Sequence, residues 1–380
     1  MPRKVTRLSR RPICFVTGSR AEFGLMRSVL KAIESDPRLK LQIVATGMHL
    51  DRRHGRTLEQ IPKVTAVVDW PKSSRGIAVG TAISKLAKTF EKLKPEIVLV
   101  VGDRVEAFAA AAAAHLGDIA VAHVHGGDRA MGQMDDSLRH AISKLAHIHF
   151  PATRQSARRL EKMGEDRWRI HRAGSPAIDG IAKIAASTQR ISEEFPGLIT
   201  RRFALAILHP VDANETVEFR RAVMVANALR SSGIERIVII YPNNDPGAAG
   251  IIRCWESLRN DGRFIVRRDM PRTIFLGLLR DAAMLVGNSS SGIIEAASFR
   301  TPVIDIGPRQ LGRERCKDVR NVPYRESAFG EAARDIWRDG RPRRGKHANI
   351  YGDGAAGATI AQTLKIMKID RRLLRKLISY

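Results

Sequence analysis

Short runs of apolar residues alternate with helical patterns along most of this chain. Several runs are continuously apolar, which is typical of strands that are buried on both faces. In the first half the runs are Ile13–Thr17, Leu41–Thr46, Ile97–Val101, Ile119–Val124 and Ile148–Phe150. In the second half they are Phe203–Leu208, Ile237–Tyr241, Phe264–Val266, Met284–Val286 and Val303–Ile306. This alternation predicts an α/β protein with doubly wound parallel sheets.

The strand–helix pattern is interrupted between about residues 174 and 197, which separates two series of elements. A chain of 380 residues is long enough for two domains. We therefore expect two Rossmann-like lobes whose sheets face a central cleft, with a basic terminal helix that packs back on the first lobe. The expected division is a basic tail (1–12), a first lobe (13–185), a second lobe (186–355) and the terminal helix (356–380).

Cysteine content and the apolar segments indicate a protein of the reducing cytoplasm. The three cysteines, Cys14, Cys254 and Cys316, are too few and too widely spaced for a disulfide framework or a metal-ligand pattern. The apolar run after the basic N-terminus covers only Ile13–Val16, which is too short for a signal-peptide core. The run Ala107–Ala114 predicts a buried helix, because polar residues interrupt it before it reaches the length of a membrane span. A cytoplasmic protein without membrane insertion is expected.

The charge is strongly positive, with 65 Lys and Arg against 39 Asp and Glu, a net of +26. Nucleic acid is the first partner that such a balance suggests. Residues 1–12 contain five of the cations and no acid, and residues 365–380 contain six cations and one acid. The remaining charge is spread thinly, and no nucleic-acid-binding module is recognisable. We therefore expect no specific nucleic-acid partner.

The stretch from Val286 to Ala297 is the most informative part of the sequence. An apolar run ends there in a Gly-Asn pair, followed by three serines and a helical pattern that contains Glu295. A helix N-terminus offers free N–H groups and a positive dipole end, so this arrangement favours an anion site. The hydroxyls of Ser289 and Ser290 can donate to a phosphate, and the carboxylate of Glu295 can accept from ribose hydroxyls. An ordinary serine N-cap is the simpler alternative for this segment alone.

Polar side chains also follow the other predicted strands, at the sheet edge where open α/β proteins bind ligands. They are Arg20, Asp103, Arg104, His125, Asp128, Asp135, His209 and Arg309. Singly each has a structural explanation, such as a helix N-cap for Asp103, a first-turn acid for Asp135, or a satisfied core histidine among His123 and His125. Together they suggest an acid/base site beside a diphosphate site. No GxGxxG motif follows the first strand, so a nicotinamide cofactor has no support, and no spacing of histidines and acids indicates a metal.

Nine motifs, in order from about residue 13 to about residue 320, resemble the hydrolysing UDP-N-acetylglucosamine 2-epimerases. They are Val16–Met26, Thr46–Leu50, Gly102–Ala107, His123–Asp128, Asp135–Phe150, Gly174–Asp179, Tyr241–Gly247, Gly287–Ala296 and Arg309–Arg313. The strings Thr-Gly-Met-His-Leu and Asp-Asp-Ser-x-Arg-His resemble the hydrolysing branch in particular. The non-hydrolysing enzymes usually carry Arg-Pro-Glu after the first strand, where this chain has Arg20, Ala21 and Glu22.

The resemblance implies a two-lobed fold of the glycosyltransferase-B type, without a metal or a redox cofactor. The implied reaction is anti elimination of UDP to a 2-acetamidoglucal, followed by addition of water with inversion at C2. The products would be UDP and a free N-acetylmannosamine-type sugar. A homodimer or homotetramer is expected.

The resemblance also implies roles for the candidate residues. Arg20, Ser289, Ser290 and Arg309 would hold the diphosphate, and Glu295 the ribose. Asp103, Asp135 and His209 would surround the sugar ring, with Arg104 close by. The motif His123–Asp128 departs from the family, because some members have a glutamate at position 125 and many have one at position 128. Either His125 or Asp128 would replace the family's second carboxylate.

Several alternatives remain open from the sequence. The substrate would be UDP-N-acetylglucosamine or a UDP-diacetamido-trideoxyhexose of a sialic- or legionaminic-acid-type pathway. A non-hydrolysing epimerase would keep the sugar on UDP, and a glycosyltransferase of the same fold would need an acceptor but has no evident use for Asp135 and Asp136. A catalytically inactive sugar-nucleotide sensor should have lost its acids, whereas Asp103, Asp135 and His209 are all present.

Overall fold

The computed structural model describes residues 10–50, 57–129, 134–199, 202–243, 245–338 and 341–379. These residues form two compact units, each built around one parallel sheet. The first unit comprises the described residues of 1–179 and 351–380, and the second unit those of 180–350.

Both sheets contain six strands, and neighbouring strands in each are parallel. The first sheet consists of β1 (Arg11–Thr17), β2 (Leu39–Ala45), β3 (Ala66–Val67), β4 (Ile97–Val101), β5 (Ala120–Val124) and β6 (Ile148–Phe150). The second consists of β7 (Phe203–Ile207), β8 (Arg236–Ile240), β9 (Phe264–Arg267), β10 (Met284–Gly287), β11 (Val303–Ile306) and β12 (Val319–Val322). The strand orders are β3-β2-β1-β4-β5-β6 and β12-β11-β10-β7-β8-β9. The direction in which successive strands are added therefore reverses once in each sheet, between β1 and β4 in the first and between β7 and β10 in the second.

Helices connect the strands. In the first unit they are α1 (Arg20–Ser35), α2 (Arg75–Leu93), α3 (Val105–Leu116), α4 (Met134–Leu145) and α5 (Arg154–Lys162). In the second unit they are α6 (Ile181–Ile184), α7 (Thr188–Glu194), α8 (Glu215–Arg230), α9 (Ala248–Ser257), α10 (Arg272–Asp281), α11 (Ser290–Ile294) and α12 (Glu326–Ile336). The chain then returns to the first unit with α13 (Ala356–Ile366) and α14 (Arg371–Leu374). Within the described ranges, no helix has both the length and the apolar character needed to cross a bilayer.

Strand β4 shows why a continuous apolar run becomes a central strand. Ile97, Leu99 and Val101 pack in the core that lies against α1 and α13, whereas Val98 and Val100 pack in the core against α2 and α3. Successive side chains of a strand point to opposite faces, so a strand covered by helices on both sides must be apolar at every position.

The predicted fold class is confirmed: two Rossmann-like lobes with parallel sheets. Every apolar run that was expected to form a strand does so, with ends that shift by at most a few residues. Strands β3 and β12 were not predicted, and neither was a short antiparallel pair formed by Trp337–Arg338 and Arg341–Pro342. Strands β3 and β12 lie at the edge of a sheet, and the sequence of β12, Val-Arg-Asn-Val, has two exposed polar residues at its centre. Edge strands need no continuous apolar run, so they carry a weak hydrophobic signal.

The C-terminal segment differs from the single terminal helix that was expected. Helix α13 ends before Met367, and α14 begins after Asp370. Asp370 is the N-cap of α14, and its carboxylate accepts the N–H of Leu373. Ile360 and Leu364 of α13 are fully buried in the core of the first unit. The guanidinium of buried Arg169 donates to the carbonyl groups at the end of α14. Two short helices are therefore attached to the first unit by separate contacts.

The motif Gly174–Asp179 holds the point where the chain returns. Gly174 has a φ of +85°, and an added Cβ would lie 2.7 Å from the carbonyl oxygen of Tyr351. The carboxylate of Asp179 accepts the N–H groups of Ala356 and Gly357, at 3.0 and 2.6 Å. The N-cap of α13 is an alanine, so Asp179 supplies the cap that this residue cannot.

Substitution of this carboxylate should therefore weaken the attachment of α13. We expect Asp179→Ala to lower the free energy of unfolding by about 0.5–2 kcal/mol, the usual cost of a lost N-cap. Asp179→Asn keeps one acceptor oxygen and should lose less. Urea unfolding of the three proteins checks this ranking, and equal stability of Asp179→Ala and the wild type would contradict the capping role.

Candidate functional site

Six of the candidate residues follow the strands between which the strand order of a sheet reverses. In the first unit Arg20 follows β1, and Asp103 and Arg104 follow β4. In the second unit His209 follows β7, and Ser289 and Ser290 follow β10. Open α/β sheets bind ligands at the carboxyl ends of their strands, at this switch point. Each unit therefore presents one cluster of polar side chains where a ligand site is expected.

Asn288 organises the cluster of the second unit, and the sequence interpretation missed its role. Its side chain is fully buried, accepts the N–H of His209 at 2.7 Å and donates to the carbonyl of His209 at 2.8 Å. Its own carbonyl accepts the side-chain amide of Gln310 at 2.9 Å. The preceding Gly287 has a φ of +134°, and a Cβ there would lie 1.9 Å from the carbonyl oxygen of Ile207. Gly287 thus allows β10 to approach β7 closely enough for these hydrogen bonds.

The serine-rich turn is the start of a short helix. Ser289 is the N-cap of α11, and its hydroxyl oxygen accepts both the N–H and the hydroxyl of Ser291. Ser290 is the first helical residue and is partly exposed. Helix α11 has only five residues and continues as a 3-10 helix over Ala296–Phe299. The turn therefore combines the ordinary N-cap with a neighbouring hydroxyl that is accessible.

Glu295 lies at the end of α11 and is already held by an arginine. Both of its carboxylate oxygens lie 3.0 Å from the guanidinium of Arg272. Burial raises the pKa of Glu295 above its ordinary value, whereas the charge of Arg272 lowers it. Arg272 precedes Glu295 by 23 residues, and no motif in the sequence indicated this ion pair.

His209 has a defined tautomer. Its Nδ1 accepts the backbone N–H of Asn243 at 3.0 Å, so in the neutral ring the proton is on Nε2. Burial and the nearby charge of Arg309 lower the pKa of His209 to about 4. At neutral pH this side chain is therefore an uncharged hydrogen-bond donor through Nε2, and Nε2 has no lone pair with which to accept a proton.

Arg309 follows β11 in the same unit. Its guanidinium lies 3.5 Å from the carboxylate of Asp245 and 3.5 Å from the carbonyl of Asn288. Burial lowers the pKa of Arg309, and Asp245 opposes that shift. Since both contacts are long, this charge is weakly compensated and suits an anionic ligand.

In the first unit, Asp103 forms an ion pair with buried Arg139. The same arginine donates to the carbonyl of His125 at 3.1 Å. The residue at the N-cap of α3 is Arg104, so the alternative that Asp103 is a helix cap is wrong. A quarter of the Asp103 side chain remains exposed. Arg139 thus fixes this carboxylate at the carboxyl end of β4 and leaves part of it accessible.

Asp128 and His125 form a second hydrogen-bonded pair, which follows β5. The Oδ2 of Asp128 lies 2.7 Å from Nδ1 of His125, and its Oδ1 accepts the hydroxyl of Ser156 at 2.7 Å. Nε2 of His125 lies 3.0 Å from the hydroxyl of Ser175. Desolvation opposes ionisation of Asp128, but the charges of His125 and Arg139 together hold its pKa well below the ordinary value. Asp128 is therefore ionised at neutral pH.

His123 is the core histidine of this strand pair. It is fully buried, its Nε2 donates to the carbonyl of Gly102 at 2.7 Å, and its Nδ1 lies 3.1 Å from the hydroxyl of Ser143. Burial lowers its pKa to about 3, so His123 is neutral and structural.

Arg104 is bound by a buried carboxylate that the sequence interpretation did not single out. Its guanidinium makes two hydrogen bonds to Glu106, at 3.1 and 2.9 Å, and lies 3.9 Å from Glu22. A Cβ at Gly18 or at Gly47 would collide with the side chain of Glu106. Burial raises the pKa of Glu22 to about 7, because the neighbouring Arg104 compensates only part of the desolvation.

For the remaining two candidates, Arg20 and Asp135, the structure gives the position on a helix. Arg20 is the exposed first residue of α1. Asp135 belongs to α4, but its side chain lies outside the described part of the structure. Among the described side chains, no three His, Cys, Asp or Glu residues converge as metal ligands would.

Comparison with known proteins identifies the family of this chain. The family model described as UDP-N-acetylglucosamine 2-epimerase matches residues 31–365. A hydrolysing UDP-N,N'-diacetylbacillosamine 2-epimerase from Legionella pneumophila is 34% identical over 97% of this chain and 100% of the relative. A UDP-N-acetylglucosamine 2-epimerase from Neisseria meningitidis is 36% identical over 83% of this chain and 84% of the relative.

The fold also matches that of a solved structure. The crystal structure of UDP-GlcNAc 2-epimerase from Neisseria meningitidis bound to UDP-GlcNAc superimposes with a TM-score of 0.77 and 21% identity, over 93% of this chain and 99% of that one. The chain belongs to the UDP-N-acetylglucosamine 2-epimerase family.

Proposed function

We propose that this protein is a hydrolysing UDP-sugar 2-epimerase that releases UDP and a free 2-epimerised sugar. The observation that carries the proposal is the hydrogen-bonded network of Asp103, Arg139, His125 and Asp128, which lies after β4 and β5 in the first unit. Two carboxylates at the carboxyl ends of neighbouring strands supply the charged and proton-transferring groups that an elimination and a hydration require. The name of the Legionella relative, which covers nearly the whole chain, supports the hydrolysing reaction.

The second unit would bind the UDP part of the substrate. Ser289, Ser290 and Arg309 would contact the diphosphate, together with Arg20 of the first unit, and Glu295 would contact the ribose. The weakly compensated charge of Arg309 supports this role, since leaving UDP gains negative charge as the C1–O bond breaks. The Nε2–H of His209 would donate a hydrogen bond to an oxygen of the sugar nucleotide.

The first unit would carry the proton transfers. A carboxylate, Asp103 or Asp135, takes the C2 proton of the sugar while the electron pair of the C1–O bond leaves with UDP. This step gives the unsaturated glycal and UDP. Water then adds its hydroxyl at C1 and a proton returns to C2 from the opposite face, which inverts that centre. Ionised Asp128 would stabilise the positive charge that develops at C1, with Arg104 near the ring.

The sugar is the least determined part of this proposal. UDP-N-acetylglucosamine and a UDP-diacetamido-trideoxyhexose both carry the 2-acetamido group and the C2 hydrogen that the reaction needs. Mass spectrometry of products from a panel of UDP-sugars tests the function and identifies the substrate together. The proposal requires UDP and a free sugar from at least one member of the panel. A 2-epimer that remains attached to UDP would support the non-hydrolysing alternative instead.

The proposed diphosphate contacts should be visible in UDP binding. Loss of a hydrogen bond to a charged group costs roughly 1.5–3 kcal/mol, so we expect Ser290→Ala and Arg309→Ala to weaken UDP affinity by about tenfold to a hundredfold. Arg220, an exposed arginine of α8, provides the matched control Arg220→Ala. Isothermal titration calorimetry with UDP measures all three. If both site variants bind UDP as tightly as the control does, Ser290 and Arg309 do not hold the diphosphate.

A further inference from the structure

A cavity of the second unit lies at the amino ends of the strands of its sheet. It has a volume of about 540 Å³ and is bounded by Pro302 before β11, by Lys317 before β12, and by residues 343–347. The proposed diphosphate residues follow the carboxyl ends of β10 and β11, whereas this cavity lies at the amino ends. A four-residue strand spans roughly 13 Å, so the cavity is distinct from the proposed diphosphate residues.

The cavity is lined mainly by cationic side chains. The cations are Lys317, Arg320, Arg343, Arg344 and Lys346, and His347 also lines the cavity. The acids that also line it are Asp318 and Asp335, and Asp335 pairs with Arg320 at 2.7 Å. Considering only the described residues, no carboxylate lies within salt-bridge distance of Lys317, Arg343 or Lys346. Among the described residues that line the cavity, the positive charges therefore outnumber the negative ones.

Hydrogen bonds fix the backbone of the segment that carries Arg343, Arg344 and Lys346, and one of its side chains. The N–H of Arg343 donates to the carbonyl of Ile336 at 2.7 Å, and the N–H of Gly345 donates to the carbonyl of Arg300 at 2.9 Å. The guanidinium of Arg344 donates to the hydroxyl of Thr301 at 3.0 Å. Like charges that are held together repel one another, so a bound anion would relieve a cost that the folded chain carries.

We propose that this cavity is a binding site for a compact polyanion of the phosphate or diphosphate class. Its volume lies in the range of small-ligand pockets, and it is concave. No Phe, Tyr or Trp is among the described residues that line it, so it lacks the broad stacking surface that single-stranded nucleic acids use. This site is independent of the proposed epimerase reaction.

Calorimetry with inorganic pyrophosphate tests the proposal. Saturating UDP is present, so that the proposed diphosphate contacts at the carboxyl ends of the strands are already occupied. The wild type should bind pyrophosphate, and the double variant Arg343→Ser/Lys346→Ser should bind it roughly tenfold more weakly or worse. The matched control is Arg220→Ser/Arg268→Ser, which removes two exposed arginines of the same unit outside the cavity and should bind as the wild type does. Retained UDP affinity shows that both double variants are folded.

Three results would overturn the proposal. They are the absence of pyrophosphate binding in the wild type, equal binding by the cavity variant and the control, and equally strong binding of sulfate at the same ionic strength. A short DNA duplex that binds more tightly than pyrophosphate, and loses affinity in the same cavity variant, would identify a nucleic-acid surface instead. Because UDP affinity and turnover are measured separately, failure of this proposal is distinguishable from failure of the proposed function.

Discussion

Asp103→Asn should lower kcat by about 10²–10⁴-fold on the verified substrate, the usual contribution of a general acid or base. The substitution keeps the size of the side chain and part of its hydrogen bonding, but it removes the proton acceptor at the carboxyl end of β4. UDP affinity should change little, since the proposed UDP contacts lie elsewhere. Steady-state kinetics and UDP calorimetry on the same preparation separate the two effects.

Two comparisons make this prediction specific. Asp118→Asn changes an exposed acid in the turn after α3, at a φ of +54° that asparagine tolerates, and should keep wild-type turnover. Asp135→Asn should lose kcat to a similar extent as Asp103→Asn. The assignment of the proton transfers is wrong if Asp103→Asn and Asp135→Asn both keep near-native kcat.

Asp128→Asn should also lose about 10²–10⁴-fold in kcat, and more than His125→Gln. The carboxylate of Asp128 is ionised and orients the ring of His125 through a 2.7 Å hydrogen bond, so its removal affects both groups. His125→Gln leaves that charge in place, with Ser156 still donating to it. Parallel kinetics of the two variants identify the substitute for the second carboxylate. A larger loss in His125→Gln would assign that role to the imidazole.

Hydrophobic patterning predicted most of the fold because central parallel strands must be apolar on both faces. The same physics explains what was missed: β3 has two residues, and β12 is an edge strand whose exposed Arg320 and Asn321 interrupt the pattern. The division of the C-terminal segment into α13 and α14 was also missed, because the start signal at Asp370, the N-cap of α14, was not recognised.

The candidate site was predictable in its positions but not in its partners. The residues after each strand could be named from the sequence, since the edge of an open sheet is a known location for ligands. The groups that hold them come from distant parts of the chain: Arg139 reaches Asp103 across 36 residues, and Asn288 reaches His209 across 79. Only the folded structure shows that the Nδ1 atom of His209 already accepts the backbone N–H of Asn243.

The most direct test of the central claim is the reaction in deuterium oxide, followed by mass spectrometry and NMR of the products. Elimination removes the C2 proton of the sugar and hydration replaces it from solvent. The account therefore predicts free UDP and a free 2-epimerised sugar that carries one deuterium at C2. A released sugar that retains its original C2 hydrogen, or a 2-epimer that remains attached to UDP, would contradict it.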